Sequence, residues 1–142
     1  MQFFCRPGVF FAVCLTLCLA LAQPAAAIQN IGFPDDQSVS ATAADAKRFN
    51  AARKSMLGAL ATLAKFDGVD GEAKKEVMAA MKTIGANAQI LEGIAARAGN
   101  KDVVRFMSTL KSWSISGDAD DRPTSLLKKI GTSLRGLKVT TK

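Results

Sequence analysis

Residues 77–98 read VMAAMKTIGANAQILEGIAARA and carry the most regular apolar pattern in the chain. Their apolar members alternate four and three positions apart, at Val77, Met81, Ile84, Ala88, Leu91, Ala95 and Ala98. This alternation places them on one helix face, in the a/d pattern by which helices pack together. Gly85 and Gly93 each cost about 1 kcal/mol relative to alanine, but the pattern keeps its phase across both. We therefore predict one helix over residues 72–98, with Met81, Ile84 and Leu91 in a buried seam.

The segment before this helix predicts another, over residues 42–66. Thr42 followed by Asp45 is typical of a helix start. Apolar residues then recur at helical spacing, at Phe49, Met56, Leu60 and Leu63. The sequence DGVDG at residues 67–71 interrupts the pattern, with Gly68 suited to a left-handed cap and Asp70 placed to cap the next helix.

Two further helices are predicted after residue 98. Gly99 and Asn100 end the long helix, and Asn100 is placed to cap a third one, whose apolar face is Val103, Phe106, Met107, Leu110 and Trp113. After an acidic loop at residues 116–121, the last helix is expected to open near Pro123. Five of its residues fall within an arc of about 100°: Leu126, Leu127, Ile130, Leu134 and Leu137. Lys128, Lys129 and Arg135 fall outside that arc, and Lys138 is at its edge.

The N-terminus has the three parts of an export signal in the expected order. Arg6 is followed by an uncharged apolar run at residues 9–22, and QPAAA at residues 23–27 ends in Ala-x-Ala. The run of about 14 residues is shorter than the roughly 20 that cross a bilayer as a helix. We expect cleavage after Ala27, which would remove all three cysteines, Cys5, Cys14 and Cys18, and leave a secreted or periplasmic protein.

These patterns together predict an all-α protein. We expect a signal peptide at residues 1–27, an extended arm at residues 28–41, and a domain at residues 42–142. That domain is predicted to be a small antiparallel bundle of about four helices, without strands. Residues 28–40 lack any apolar period, which is why they are interpreted as an arm.

The residue types that remain after cleavage exclude most catalytic chemistry. The chain has no His and no Tyr, and no Cys follows Ala27. A Ser-His-Asp or Cys-His arrangement therefore cannot form, and zinc loses its usual ligands. The acidic turn that starts at Asp67 does not match a calcium loop, because Val69, Gly71 and Met78 stand where oxygen ligands are required. We expect no enzyme activity, no cofactor and no metal.

Positive charge is concentrated in the C-terminal third. Residues 28–100 carry nine Lys and Arg against eight Asp and Glu, whereas residues 101–142 carry nine against four. From Pro123 onward there is no acidic residue, while five are basic: Lys128, Lys129, Arg135, Lys138 and Lys142. Such a segment is typical of a surface that meets an anionic partner. An ordinary solvated helix face has the same pattern.

Three interpretations of the last helix remain open. It closes the bundle with its five large apolar residues, or it binds reversibly to an anionic membrane surface, or it binds an acidic protein, glycan or nucleic acid. Nucleic acid is disfavoured, because no stacking aromatic is interleaved with the basic residues. We expect a non-catalytic protein that binds a macromolecular partner, most simply a protein, and the alternative is a cationic membrane-active protein. Binding is expected through the basic last helix or through the seam of the second helix. Trp113 is a second candidate residue, as an aromatic anchor. The candidate binding residues of the last helix are Leu126, Leu127, Lys128, Lys129, Ile130, Leu134, Arg135, Leu137 and Lys138.

Overall fold

The computed structural model describes residues 31–66, 71–116 and 124–142. Several predicted features lie outside these residues: the cleavage position at Ala27, the capped turn at residues 67–70, the acidic loop at residues 117–121, and Pro123. The described elements follow the chain in this order: strand β1 (Ser38–Ala41), helix α1 (Ala43–Lys65), helix α2 (Gly71–Arg97), helix α3 (Lys101–Ser116), helix α4 (Thr124–Gly136) and strand β2 (Lys138–Thr141). The predominantly helical class is thus confirmed.

Helix α1 begins where its capping residue predicts. The Thr42 hydroxyl accepts a hydrogen bond from the Asp45 backbone N–H at 3.2 Å, which satisfies one of the free donors of the first turn. The helix ends at Lys65, one residue before the predicted boundary. Its apolar stripe is buried, including Phe49, Met56 and Leu63.

Helix α2 is continuous across both of its internal glycines, as predicted. Six of the seven seam residues are buried, and Ala98 is half-buried. Met81, Ile84 and Leu91 are therefore core residues, and that prediction is confirmed. Helix α2 packs extensively against both α1 and α3, which explains why it carries the longest apolar pattern.

The turn between α2 and α3 is built on Gly99 and Asn100. Gly99 has a φ of 78°, a left-handed conformation that favours glycine. The Asn100 N–H donates to the Ala95 carbonyl at 3.0 Å and the Gly99 N–H to the Ala96 carbonyl at 3.1 Å, so the last carbonyls of α2 are satisfied. The Asn100 side-chain oxygen then caps α3 by accepting from the Val103 N–H at 3.0 Å.

The prediction that the chain has no strand is wrong. Strands β1 and β2 pair in parallel, with Ser38 opposite Lys138 and Ala41 opposite Thr141. The Lys138 N–H donates to the Gln37 carbonyl at 2.8 Å, and the Lys142 N–H donates to the Ala41 carbonyl at 3.1 Å. Each strand has four residues, which is too short for an alternating pattern to stand out. Each also depends on a partner about a hundred positions away.

The segment that precedes β1 is also fixed to the helical part. Ile31 and Val39 are buried, and the Phe33 ring lies 5.7 Å from the Phe106 ring of α3, centroid to centroid. The Asn100 side-chain amide donates to the carbonyls of Asp36 and Ser38, at 3.1 and 2.7 Å. None of the helices within the described ranges is long and apolar enough to span a membrane.

Candidate partner-binding surface

The apolar face of α4 is turned into the protein. Leu127, Ile130 and Leu134 are buried, and Leu126 is half-buried. Helix α4 packs on α1. The burial of these leucines favours the interpretation in which the last helix closes the helical core.

Two of the predicted helix residues lie outside α4, and this part of the prediction is wrong. The helix ends at Gly136, and Lys138 is the first residue of β2. Leu137 is nevertheless buried, and its carbonyl accepts a hydrogen bond from the Arg53 guanidinium of α1. Pairing with β1 replaces the next helical turn, and residues 139–141, which are Val-Thr-Thr, have the β-branched side chains that favour a strand.

The basic residues of this region are all exposed. We refer to them as the basic C-terminal surface: Lys128, Lys129, Arg135, Lys138 and Lys142. Between described residues, ion pairs join Arg97 to Asp45 and Lys111 to Glu92. The basic C-terminal surface takes part in neither pair, so within the described part of the chain its charges are not compensated by a carboxylate contact.

A groove of about 200 Å³ lies between α1 and α4, and we call it the α1–α4 groove. Its apolar and small lining residues are Leu57, Leu60, Ala61, Ala64, Leu127 and Gly131, and Thr124 also contributes. Lys128 and Arg135 are its charged lining residues. Among the described residues, the groove therefore has an apolar wall, and its charged lining residues are positive.

The α1 side of this groove was not predicted. Leu57, Ala61 and Ala64 recur four and three positions apart, each one position after Met56, Leu60 and Leu63 of the buried stripe. This second apolar stripe could have predicted the groove from the sequence, because a helix with two adjacent apolar stripes packs against more than one neighbour. Ala61 and Ala64 are exposed, and Leu57 is half-buried.

Other grooves are present among the described residues, and two of them are larger. One of about 500 Å³ lies between α2 and α3, and its charged lining residues are Glu92, Lys101 and Arg105. Glu92 is already paired with Lys111, at 2.5 Å. The other, of about 400 Å³, is mainly apolar and includes the exposed side chains of Met78 and Ile115.

Trp113, the second candidate for partner binding, lies in the core of the protein. Only 2% of its surface is exposed, and its indole N–H is buried with no hydrogen-bond partner in the described structure. In this conformation the ring presents no surface to a partner, which agrees with a role in anchoring α3.

The described residues include no cluster of acidic, His or Cys side chains able to hold a metal ion. The pKa of Asp36 is lowered, because its carboxylate accepts hydrogen bonds from the Ser38 hydroxyl at 2.6 Å and from the Ser38 N–H at 3.0 Å. These two hydrogen bonds lie on the protein surface, in the turn before β1.

Comparison of the chain with protein-family models, curated proteins and solved structures gave no match.

Proposed function

We propose that this chain is an exported, non-catalytic binding protein whose basic C-terminal surface binds an acidic protein partner. The observation that carries the proposal is that the apolar and basic residues of α4 lie on different sides of the helix, one side in the core and the other in solvent. Leu127, Ile130 and Leu134 are buried, while the basic residues of α4 are exposed and have no carboxylate contact in the described part of the chain. Uncompensated charge on a firmly packed helix attracts and orients an oppositely charged partner.

The scaffold of this surface is, in our proposal, an antiparallel helical bundle. Two contacts support that arrangement of α1 and α2. Asp45 near the start of α1 is paired with Arg97 at the end of α2, at 3.1 Å. Farther along α1, the Ser55 hydroxyl accepts a hydrogen bond from the Asn87 amide at 3.2 Å. As the residue number rises along α1, its partner's number falls along α2.

Export completes the proposal. It is supported by the order of Arg6, the apolar run at residues 9–22 and the Ala-x-Ala ending at Ala27. In that setting a protein partner is favoured over nucleic acid.

A protein partner is also favoured over a membrane. A helix that lies in a membrane interface inserts its apolar face into the lipid. The apolar face of α4 is already occupied by the protein core. Only the electrostatic attraction to anionic lipid would remain, about 1 kcal/mol per basic residue near the surface.

Charge reversal tests the proposal directly, with poly-L-glutamate as the acidic probe. The variant Lys128→Glu/Lys129→Glu changes two adjacent exposed lysines of α4. Lys74→Glu/Lys75→Glu changes two adjacent exposed lysines of α2 and is a control with the same net charge. We expect the α4 variant to bind roughly tenfold more weakly than the control. Binding of the unmodified protein should weaken as salt is added.

Equal losses in the two variants would show that only net charge matters and would overturn the proposal. Sedimentation with phosphatidylserine vesicles supplies the other arm. Salt-sensitive sedimentation with vesicles, together with no binding to poly-L-glutamate, would favour the membrane-active alternative.

A further inference from the structure

We propose that the α1–α4 groove receives one large apolar side chain of the acidic partner, while carboxylates on either side of that residue contact Lys128 and Arg135. This inference rests on the proposed function and specifies the segment that is recognised. That segment is an acidic stretch interrupted by a single large apolar residue.

Small residues from two helices that pack against each other line the groove. Ala61 and Ala64 on α1 are exposed and short, and Gly131 on α4 has no side chain at all. The larger residues Leu57, Leu60 and Leu127 supply apolar lining. A space of about 200 Å³ with such a lining suits a single apolar side chain. Burying that side chain removes its surface, and part of the groove's, from water.

The positive charges of the groove favour acidic residues next to that apolar residue in the partner. Lys128 and Arg135 are seven positions apart on α4, which corresponds to roughly 10 Å along a helix. Gly131 lies between them, and a Cβ built at Gly131 would lie 3.6 Å from the Arg135 guanidinium nitrogens, so this cation extends along the groove. No acidic residue is among the described lining residues. The groove is therefore complementary to an apolar group with negative charge on both sides.

The guanidinium group of Arg135 lies beside Gly131, about one helical turn from Lys128, so the partner's carboxylates are expected close to its apolar residue. One carboxylate before the apolar residue and one after it fit this arrangement. Arg135 can hold a carboxylate through two parallel hydrogen bonds, which adds directionality.

Two short peptides test the inference on the purified chain: acetyl-Glu-Glu-Phe-Glu-Glu-amide and its counterpart with Ser in place of Phe. We expect the Phe peptide to bind about tenfold more tightly than the Ser peptide. In the variant Ala61→Phe, whose new ring fills the groove, this preference should disappear while the affinity for the Ser peptide stays the same. Ala51→Phe changes another exposed alanine of α1 outside the groove and should keep the preference.

The outcomes separate this inference from the proposed function. Equal affinity of the unmodified chain for both peptides would overturn the groove assignment, while the effect of Lys128→Glu/Lys129→Glu on poly-L-glutamate would still test the function. Loss of the preference in both Ala51→Phe and Ala61→Phe would also overturn it. Sedimentation of the protein alone checks for a second copy in the groove. Dimerisation that Ala61→Phe abolishes would replace the acidic partner with self-association.

Discussion

Asn100 joins three parts of the chain through one side chain. Its oxygen caps α3 at the Val103 N–H, and its amide nitrogen donates to the Asp36 and Ser38 carbonyls ahead of and within β1. Its own N–H closes the end of α2 on the Ala95 carbonyl. Only 9% of the residue is exposed, so water does not readily replace these contacts. The capping role was predicted from the sequence, whereas the contacts with the β1 region were not.

Replacing Asn100 should therefore cost more than the loss of an ordinary cap. We expect Asn100→Ala to lower the free energy of unfolding by about 2–4 kcal/mol, since a lost cap costs about 1 kcal/mol and unsatisfied buried carbonyls cost more. Asn100→Asp should keep the cap but place a carboxylate against two carbonyl oxygens, and so should also destabilise the fold. Urea denaturation measures both, with exposed Gln89→Ala as a control expected to change little. Similar values for Asn100→Ala and Gln89→Ala would contradict the role of Asn100.

Asp36 has a pH-dependent role in the same region. Its hydrogen bonds with Ser38 lower its pKa below the ordinary value of 3.8. A carboxyl group whose pKa is lowered by folding stabilises the folded state above its unfolded pKa. That contribution disappears as the pH falls through the lowered value.

Asp36→Ala should therefore reduce the urea midpoint at neutral pH, and the difference from the unmodified protein should shrink as the pH falls below 3.8. Because Asp36 is exposed, the effect should be small. Asp35→Ala, one position earlier and also exposed, is the matched control. A difference between Asp36→Ala and the unmodified protein that grows on acidification would contradict this sign.

At the scale of elements, α2 and α3 approach each other closely at Gly85. A Cβ built at Gly85 would overlap the Ser114 hydroxyl and would lie 3.2 Å from the Ser114 Cβ. The glycine that weakens α2 as an isolated helix thus allows α3 to pack against it. Gly58 in α1 differs, because a Cβ built there meets no atom of the described structure within 4 Å.

The two glycines should respond to alanine in opposite directions. Gly58→Ala should stabilise the protein by up to about 1 kcal/mol through helix propensity. Gly85→Ala should destabilise it by about 1 kcal/mol, because overpacking outweighs the same gain. Adding Ser114→Ala to Gly85→Ala should recover part of that loss. Thermal denaturation of the four proteins is the measurement, and stabilisation by Gly85→Ala would contradict the close approach.

The contribution of α4 and the residues after it to the stability of the core can also be tested. If the apolar face of α4 is part of the core, Leu134→Ala should cost about 2–5 kcal/mol, whereas Lys129→Ala on the exposed face should change little. Deletion of residues 123–142 should also destabilise the protein by several kcal/mol, since it exposes the surfaces that α4 and Leu137 cover. A truncated chain as stable as the full one would show that α4 is not required for the core.

At the scale of the whole molecule, the described chain has four helices, and one short pair of parallel strands forms from the segments before the first helix and after the last. The strands connect the start of the helical part to its end, and the Arg53 contact with the Leu137 carbonyl supports the same junction from α1. The net charge of +7 and its concentration after residue 100 follow from the sequence. The outward direction of that charge depends on the packing of α4.

The proposed export makes a prediction for the intact protein. We expect the exported form to begin at Ile28 and to contain no thiol, because Cys5, Cys14 and Cys18 all precede the cleavage position. Intact-mass measurement with and without a thiol-alkylating reagent tests this. The masses with and without the reagent should be identical. An exported product that retains Cys14 and Cys18 would contradict the cleavage.

Local patterns in the sequence were sufficient for the first two helices and their ends. Helices α1 and α2 begin and end within one residue of prediction, and the seam of Met81, Ile84 and Leu91 is buried as expected. These features depend on interactions between residues up to about five positions apart, such as the Thr42 and Asn100 caps and the turn at Gly99. Residues separated by so few positions are close in space whatever the rest of the chain does. Their apolar spacing and capping residues can therefore be interpreted directly from the sequence.

Contacts between distant segments required the folded structure. The pairing of Ser38–Ala41 with Lys138–Thr141 ends α4 at Gly136 and assigns Leu137 and Lys138 to different surroundings from those of a helix. The α1–α4 groove likewise exists only because α1 and α4, which are distant in sequence, pack against each other. A segment of four residues has too few local interactions to fix its own conformation, so its partner determines it. That partner is chosen by packing across the whole molecule, which local spacing does not encode.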